Sequence, residues 1–378
     1  MCIRDSLKNR RSSPQVKFRC DRDILVEALN TSNKAVTNRA TLPVLNGLHL
    51  KLEEDTLVIT GSDLDLTITV SLDVAGESDG TSVVPARLLS DVIRSVESGT
   101  VDITVNDTDL QVVAGRSEFA LRTIPSDEYP LFEGINSDPV TVDASLLVSA
   151  LEQVTPAASS DDSRPILTGV YMVAEETGFR LVATDSYRLA VRDMPGSSLL
   201  AGQPPILVPS RALTELARLL EKDSEVSLYL GEKEASFEVN NIRMTTRLIE
   251  GEFPDYKRLV PDDNPNKLTA NRAELRDAVK RVRLLAQEAT PIRLEMGMNG
   301  LQLIAKTQDI GEAHETVDAN YNGDDLTIAF NAEYLLKGLE IAPGDDITLE
   351  TRDNQKPAVL KSDEHPEFLY LLMPVRIS

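Results

Sequence analysis

Carboxylates are the first residues whose spacing could do chemistry. Close pairs occur at Asp63/Asp65, Asp161-Asp162, Asp262-Asp263, Asp324-Asp325 and Asp345-Asp346. Two converging carboxylates can hold Mg²⁺ and drive phosphoryl chemistry, as in a nuclease or polymerase. Most of these pairs sit beside Gly, Asn or Ser, where Asp serves turns and caps. The histidines, His49, His314 and His365, show no Cys/His metal spacing, and the chain carries neither a phosphate-binding glycine loop nor a GxSxG nucleophile. We read the acids as turn chemistry and expect no catalytic residue, metal or cofactor. A Mg-dependent nuclease, scattered over turns, stands as the rival, and a multi-domain scaffold without DNA as a third reading.

The basic residues are more ordered. Over 272–286 the spacing predicts a helix with Arg272, Arg276, Lys280 and Arg283 at i, i+4, i+8 and i+11. At ~100° per residue these share a sector narrower than a right angle. Arg87 and Arg94 match Arg211 and Arg218 on two further predicted helices, each pair on one face, and Lys337 lies on a third. The chain as a whole is acidic, with net charge −22. Basic helix faces in an acidic protein separate charge by surface, which suits phosphates on one side and repels nucleic acid elsewhere. There is no Trp and few aromatics to stack bases, so any DNA contact is expected to be backbone-directed and blind to sequence.

These helices must be positioned by a repeating frame. TLPVLNGLHLKLEEDTLVITGSDLDLTITV returns 122 residues later around RPILTGVYMVAEETGFRLVATDSYRLAV, with Pro43 on Pro165, Gly47 on Gly169 and Asp63 on Asp185. A thinner third copy places Pro291 and Leu303 on Pro165 and Leu181, four residues shorter at a hairpin read as an Asn299-Gly300 turn.

Each copy reads as strand, helix, hairpin, helix and three short strands. In the first, Asp21 caps a helix with Ile24, Leu25, Ala28 and Leu29 on one side. A hairpin spans 48–70, and Pro85 starts a helix faced by Leu88, Leu89, Val92, Ile93 and Val96. The second copy has helices at 144–154, with Leu146, Leu147, Ala150, Leu151 and Val154 apolar, and at 210–221. The third has 272–286 and FNAEYLLKGL, with Asn271 and Asn331 as caps. Apolar helix stripes and alternating strands give helices on one face of antiparallel sheets, an α+β architecture of three domains.

The length of 378 residues suits three domains. The expected boundaries are 16–135, 136–258 and 259–378, after a polar extension, 1–15, read as disordered or non-native. Cys2 and Cys20 imply no disulfide framework. No run approaches the ~20 apolar residues of a membrane span, and no membrane partner is expected.

TLPVLNGL with TGSDLDL, VPAR, RPILTGV, ATDSYRLAV, VPSRAL, GEFPDY, FNAEYLL and the C-terminal MPVR resemble the bacterial sliding clamp, the beta subunit of DNA polymerase III. The resemblance covers 16–378. It implies three tandem DNA-clamp domains closing as a ring in a head-to-tail homodimer, with helices inside and sheets outside. It further implies a cytoplasmic, non-catalytic processivity factor that encircles duplex DNA and tethers the replicative polymerase. The implied DNA-binding residues are Arg39, Arg87, Arg94, Arg211, Arg218, Arg272, Arg276 and Lys280. Asp161-Asp162 depart from the neutral polar residues that the family can present in that loop. The C-terminal LLMPVRIS could be a final core strand. The resemblance instead puts it in a partner-peptide groove with Arg164, Ile166, Leu167, Thr184, Tyr187, Arg188, Leu189, Pro254, Arg258, Leu259, Asn331, Tyr334, Met373, Pro374, Val375 and Arg376. Its implied occupants are short motifs of the polymerase III alpha subunit, the clamp loader, and other polymerases and repair proteins.

Overall fold

The computed structural model describes residues 16–37, 42–125, 128–130, 132, 134–220, 224–261, 263–286 and 290–376. By contact the chain divides into two units, Met1–Pro139 with Val226–Arg247, and Val140–Glu225 with Leu248–Ser378. The expected extension 1–15 and Asp262 lie outside the described residues.

In the first unit, strand Val16–Asp21 runs into helix α1, Arg22–Asn33. Asp21 caps it, its carboxylate accepting from the N–H groups of Asp23 and Ile24 at 2.8 and 3.2 Å. Three antiparallel strands follow, Gly47–Glu53, Thr56–Ser62 and Leu66–Asp73, where the sequence suggested a single hairpin. Strand Gly80–Pro85 pairs with the first of them and leads into helix α2, Ala86–Ser95. Leu66–Asp73 pairs on its other side with Ile242–Arg247, the last strand of the second repeat by sequence. Strands Thr100–Val105, Asp109–Ala114 and Ser117–Arg122 form a separate sheet with Val16–Asp21 and Ala75–Ser78. Helices α1 and α2 pack on each other, and α1 lies on the strands Thr56–Ser62 and Leu66–Asp73. A Cβ at Gly61 would lie 2.2 Å from the Ser32 carbonyl, so the end of α1 touches backbone there.

The second unit repeats this logic twice. Helix α3, Ala144–Val154, packs on α4, Ser210–Leu219, and α5, Arg272–Val282, on α6, Ala332–Ile341. Strands Gly169–Glu175, Gly178–Thr184 and Arg188–Pro195 run antiparallel. Arg188–Pro195 then pairs with the C-terminal strand Phe368–Leu372, in the register Arg188 opposite Leu372, joining second and third repeats in one sheet.

Three expectations are corrected. The helix at 272–286 ends at Val282, and Arg283–Leu285 is a 3₁₀ turn. The third repeat's hairpin closes Gly297 onto Gly300, so its two loop residues are Met298 and Asn299, one position earlier than Asn299-Gly300. Ile24, Leu88 and Leu146 leave their apolar faces and are about half exposed, at 54, 49 and 57 %. Each sits in the first turn of its helix, before the stripe meets the sheet. Ile24 and Leu146 occupy the same repeat position.

Candidate peptide groove and basic helix faces

The turn between Gly178–Thr184 and Arg188–Pro195 organises one side of the candidate groove. Asp185, buried, accepts from the N–H groups of Tyr187 and Arg188 on Oδ1 at 2.9 and 3.0 Å. Thr184 donates its hydroxyl to the Arg188 carbonyl at 2.7 Å. Ser186 takes φ +81°, the left-handed conformation such a tight turn needs. The turn leaves Tyr187 exposed and folds the Arg188 side chain inward, where Nε donates to Asp185 Oδ2 at 2.9 Å.

Helix α6 supplies the opposing wall. Asn331 caps it, accepting from the N–H groups of Glu333 and Tyr334 at 2.9 and 3.1 Å, so its amide oxygen is spent on the helix. The Tyr334 ring lies under the Arg188 guanidinium, Cζ 4.4 Å from the ring centroid. It also stacks on Tyr187, with centroids 6.2 Å apart. Tyr370, fully buried, donates its hydroxyl to the Tyr334 carbonyl at 3.1 Å. Burial raises the Tyr334 hydroxyl pKa, with the Asp185 charge acting in the same direction. The Arg188 pKa is raised although burial opposes it, because Tyr370 and Asp185 favour the cation.

The C-terminus divides at Leu372. Leu371 and Leu372 are buried in the strand, as a core strand requires, while Met373 and Val375 turn exposed side chains outward. Met373 N–H donates to the Tyr187 carbonyl and Val375 N–H to the Ala329 carbonyl, both at 2.8 Å. The segment is therefore pinned by backbone and presents its side chains. Below it lies a core of Val182, Leu189, Val191, Tyr256 and Leu371.

The structure thus brings Tyr187, Arg188, Tyr334 and Met373 together. Thr184 and Leu189 sit beneath that surface, both buried, and support it without lining it. Ile166 packs over Gly251, where a Cβ would meet its Cδ1 at 2.9 Å. Leu167 is half-buried in the same 3₁₀ turn, Pro165–Thr168. Arg164 is held by Asp161 at 3.0 Å. Pro254, Leu259 and Arg258 are exposed, the last paired with Asp255 at 2.7 Å, and Pro374 and Arg376 extend past Met373. Asp185, which the sequence marks only as the repeat counterpart of Asp63, joins the candidate groove through Arg188; its signal is the Asp-x-x-Arg spacing.

The basic residues divide by what they touch. Arg87 and Arg94 lie on the exposed face of α2, with Arg94 donating to Asn30 at 2.9 Å. Arg211 and Arg218 lie exposed on α4, Arg218 paired with Glu215 at 2.5 Å. On α5, Arg276 pairs with the neighbouring Asp277 at 2.8 Å and Lys280 with Glu340 at 3.5 Å. Arg272 departs from the expected stripe. Its guanidinium turns back to the carbonyls of Gly344 and Leu339 at 2.7 and 3.4 Å, past and within the last turn of α6. It is a helix-end cap, because unpaired carbonyls there attract a cation. Arg39 lies outside the described residues. Among the described residues, no three His, Cys, Asp or Glu converge to hold a metal. Asp63, like Asp185, serves its turn, accepting from the N–H groups of Asp65 and Leu66. No helix among the described residues is long and apolar enough to cross a membrane.

Comparison with known proteins adds to this geometry. The chain matches the DNA polymerase III beta subunit families for the N-terminal domain over residues 16–133, the central domain over 141–255 and the C-terminal domain over 257–376. A protein of Streptomyces coelicolor named Beta sliding clamp is 37% identical over 96% of this chain and 100% of its own. The solved DNA polymerase sliding clamp of Bacillus subtilis superimposes with a TM-score of 0.91 at 28% identity, covering 96% of this chain and 100% of that one. A sliding clamp of Bartonella birtlesii, solved bound to griselimycin, gives 0.90 at 31% identity, with the same coverage.

Proposed function

The chain belongs to the DNA polymerase III beta subunit family, and from that premise we propose that it is a sliding clamp: two copies close head to tail around duplex DNA and tether the replicative polymerase. The tether is topological, so it needs no catalytic group and only weak phosphate contacts. Tandem copies joined by heterologous contacts must either close or grow into a filament, and closure is what encircling DNA requires. Arg87, Arg94, Arg211, Arg218, Arg276 and Lys280 are the cations we assign to the phosphate backbone, with Arg39 added by the family resemblance. The pairing of Arg94 with Asp91, Arg218 with Glu215, Arg276 with Asp277 and Lys280 with Glu340 favours loose, sequence-blind contact over tight binding.

The partner site we assign to the surface around Tyr187, Arg188, Tyr334 and Met373. The observation that carries it is an exposed Tyr187 ring stacked on the half-buried Tyr334 ring, with exposed Met373 and Val375 side chains on a backbone pinned in place. Adaptable Met and aliphatic groups receive Leu and Phe anchors of a short extended peptide. The polymerase alpha subunit, the clamp loader, other polymerases and repair proteins would compete for this site in the cytoplasm, and two sites per ring would add avidity.

The test is retention on DNA. In solution the mass should be twice the 41.5 kDa chain. Once loaded on circular DNA, the protein should resist salt far better than it does on linear duplex, because topology does not depend on counterion release. Reversing charge at Arg276 and Lys280 should shorten residence without creating sequence preference. Equal salt sensitivity on both substrates would overturn the ring.

A further inference from the structure

The turn at Asp185 exists twice. In the first repeat Asp63 accepts from the N–H groups at positions two and three further on, at 3.2 and 2.9 Å. In the second repeat Asp185 does the same at 2.9 and 3.0 Å. The residue between is left-handed in both, Leu64 at φ +82° and Ser186 at φ +81°. The backbone task of the aspartate is therefore the same. What differs is the residue three positions on, which is Leu66 in the first copy and Arg188 in the second.

In the second copy the aspartate's other oxygen holds the Arg188 cation, which is largely buried, with 15 % of its side chain exposed. A buried guanidinium needs a fixed anionic partner. Its Nε is engaged by Asp185, and the plane beyond lies over Tyr334 at 4.4 Å. Tyr334 in turn stacks on Tyr187, whose carbonyl receives the Met373 N–H.

We propose that Asp185 is a positioning residue of the peptide groove: by fixing the Arg188 guanidinium over Tyr334, it sets the spacing of the Tyr187 and Tyr334 rings that wall the groove. This rests on the groove reading above. It assigns to the second repeat a task for which the first, with Leu66 in place of Arg188, lacks the arginine. Without the carboxylate, Arg188 would seek solvent, Tyr334 would lose its cation, and the ring pair would open. The peptide would then meet a site that must be assembled before it binds.

The test separates this role from the turn. Asp185→Asn and Asp185→Ser both keep an acceptor for the two N–H groups, since Asn and Ser serve the same turn. Asp63→Asn makes the same change where no arginine follows. A fluorescein-labelled hexapeptide carrying Leu and Phe, measured by anisotropy, should bind either Asp185 variant about tenfold more weakly, a usual size for coupling between linked groups. It should bind Asp63→Asn as it binds the unmodified protein. Arg188→Met should lose as much, and Asp185→Asn added to Arg188→Met should lose nothing more. Additive losses, or unchanged binding by both Asp185 variants, would overturn the proposal. A ligand-free crystal structure of Asp185→Asn decides it independently. Displacement of Arg188 from Tyr334 is expected, and rings and guanidinium left in place would overturn it. Failure of the unmodified protein to bind peptide would count against the groove itself, while the crystal structure would still decide the positioning.

Discussion

Arg22 and Arg272, 250 positions apart in the sequence, close the ends of two different helices in the same way. Arg22 Nε donates to the Ile93 carbonyl at 3.0 Å, and its terminal nitrogen donates to the Arg94 carbonyl, in the last turn of α2. Arg272 does the same for α6 through Gly344 and Leu339. Both are the first residue of the preceding helix in their repeat. The second repeat has Ala144 there, and no guanidinium is available.

That equivalence predicts a separation of stability from DNA contact. Arg272→Met and Arg22→Met should each cost about 1.5–3 kcal/mol, the range for hydrogen bonds to charged groups, read by urea unfolding. Residence on circular DNA, measured where the variants remain folded, should change little for either. A short residence for Arg272→Met at full stability would return Arg272 to the DNA-binding set.

Gly338 offers a test with opposing signs. It sits inside α6, where Ala would be favoured by roughly 1 kcal/mol on propensity alone. A Cβ there would lie 2.6 Å from two ring atoms of Tyr370, which is fully buried and cannot swing away. Overpacking of this kind costs about 1–3 kcal/mol, so Gly338→Ala should destabilise, as seen in the urea midpoint. Because the Tyr370 hydroxyl donates to the Tyr334 carbonyl, peptide binding should weaken too. A stabilised variant would show that the ring moves freely.

Local sequence signals were legible where local physics sets the outcome. Asp21, Asn271 and Asn331 all cap the helices they precede. The end of α5 was not legible, because Arg283–Leu285 has helical spacing and composition yet tightens into a 3₁₀ turn. The one-residue shift at Met298-Asn299 is fixed by cross-strand pairing of Gly297 with Gly300, which the attractive Asn-Gly pair does not reveal. The candidate groove was legible only through family resemblance. Its two sides meet by pairing Arg188–Pro195 with Phe368–Leu372, and no periodicity announces a partner so distant in the chain. Charge spacing on 272–283 placed Arg272 on the basic stripe, but could not show that carbonyls at the end of another helix would claim it.

His49 predicts a pH dependence. It is buried, 8 % exposed, and stacks on Tyr129 with centroids 5.2 Å apart. Burial, and then the Lys51 charge, hold its pKa below the ordinary value. The unfolded chain takes up a proton near pH 6.5 while the folded chain resists it, so this contribution is complete above about 6.5 and declines below it. Carboxylates elsewhere also titrate in acid, so the informative quantity is a difference. Between about pH 7.5 and pH 5.5, the unmodified protein should lose more stability than His49→Phe does. Equal losses would mean that His49 protonates freely in place.

The C-terminal segment carries the most direct prediction for the partner site. Deleting residues 373–378 removes two backbone hydrogen bonds, Met373 to Tyr187 and Val375 to Ala329, and leaves strand Phe368–Leu372 intact. Two ordinary hydrogen bonds are worth about 1–3 kcal/mol together, so the truncated chain should fold and keep its solution mass. Its affinity for a Leu- and Phe-bearing peptide should fall by more than tenfold, roughly the loss of one buried apolar anchor. Truncation alone cannot say whether side chains or the pinned backbone matter. Met373→Ala with Val375→Ala keeps both hydrogen bonds and removes only the exposed apolar groups. If these side chains receive the peptide, the double variant should lose nearly as much affinity as the deletion, with a smaller change in stability. If the deletion abolishes binding and the double variant does not, the segment acts by holding Tyr187 in place, and the peptide rests on the ring pair instead.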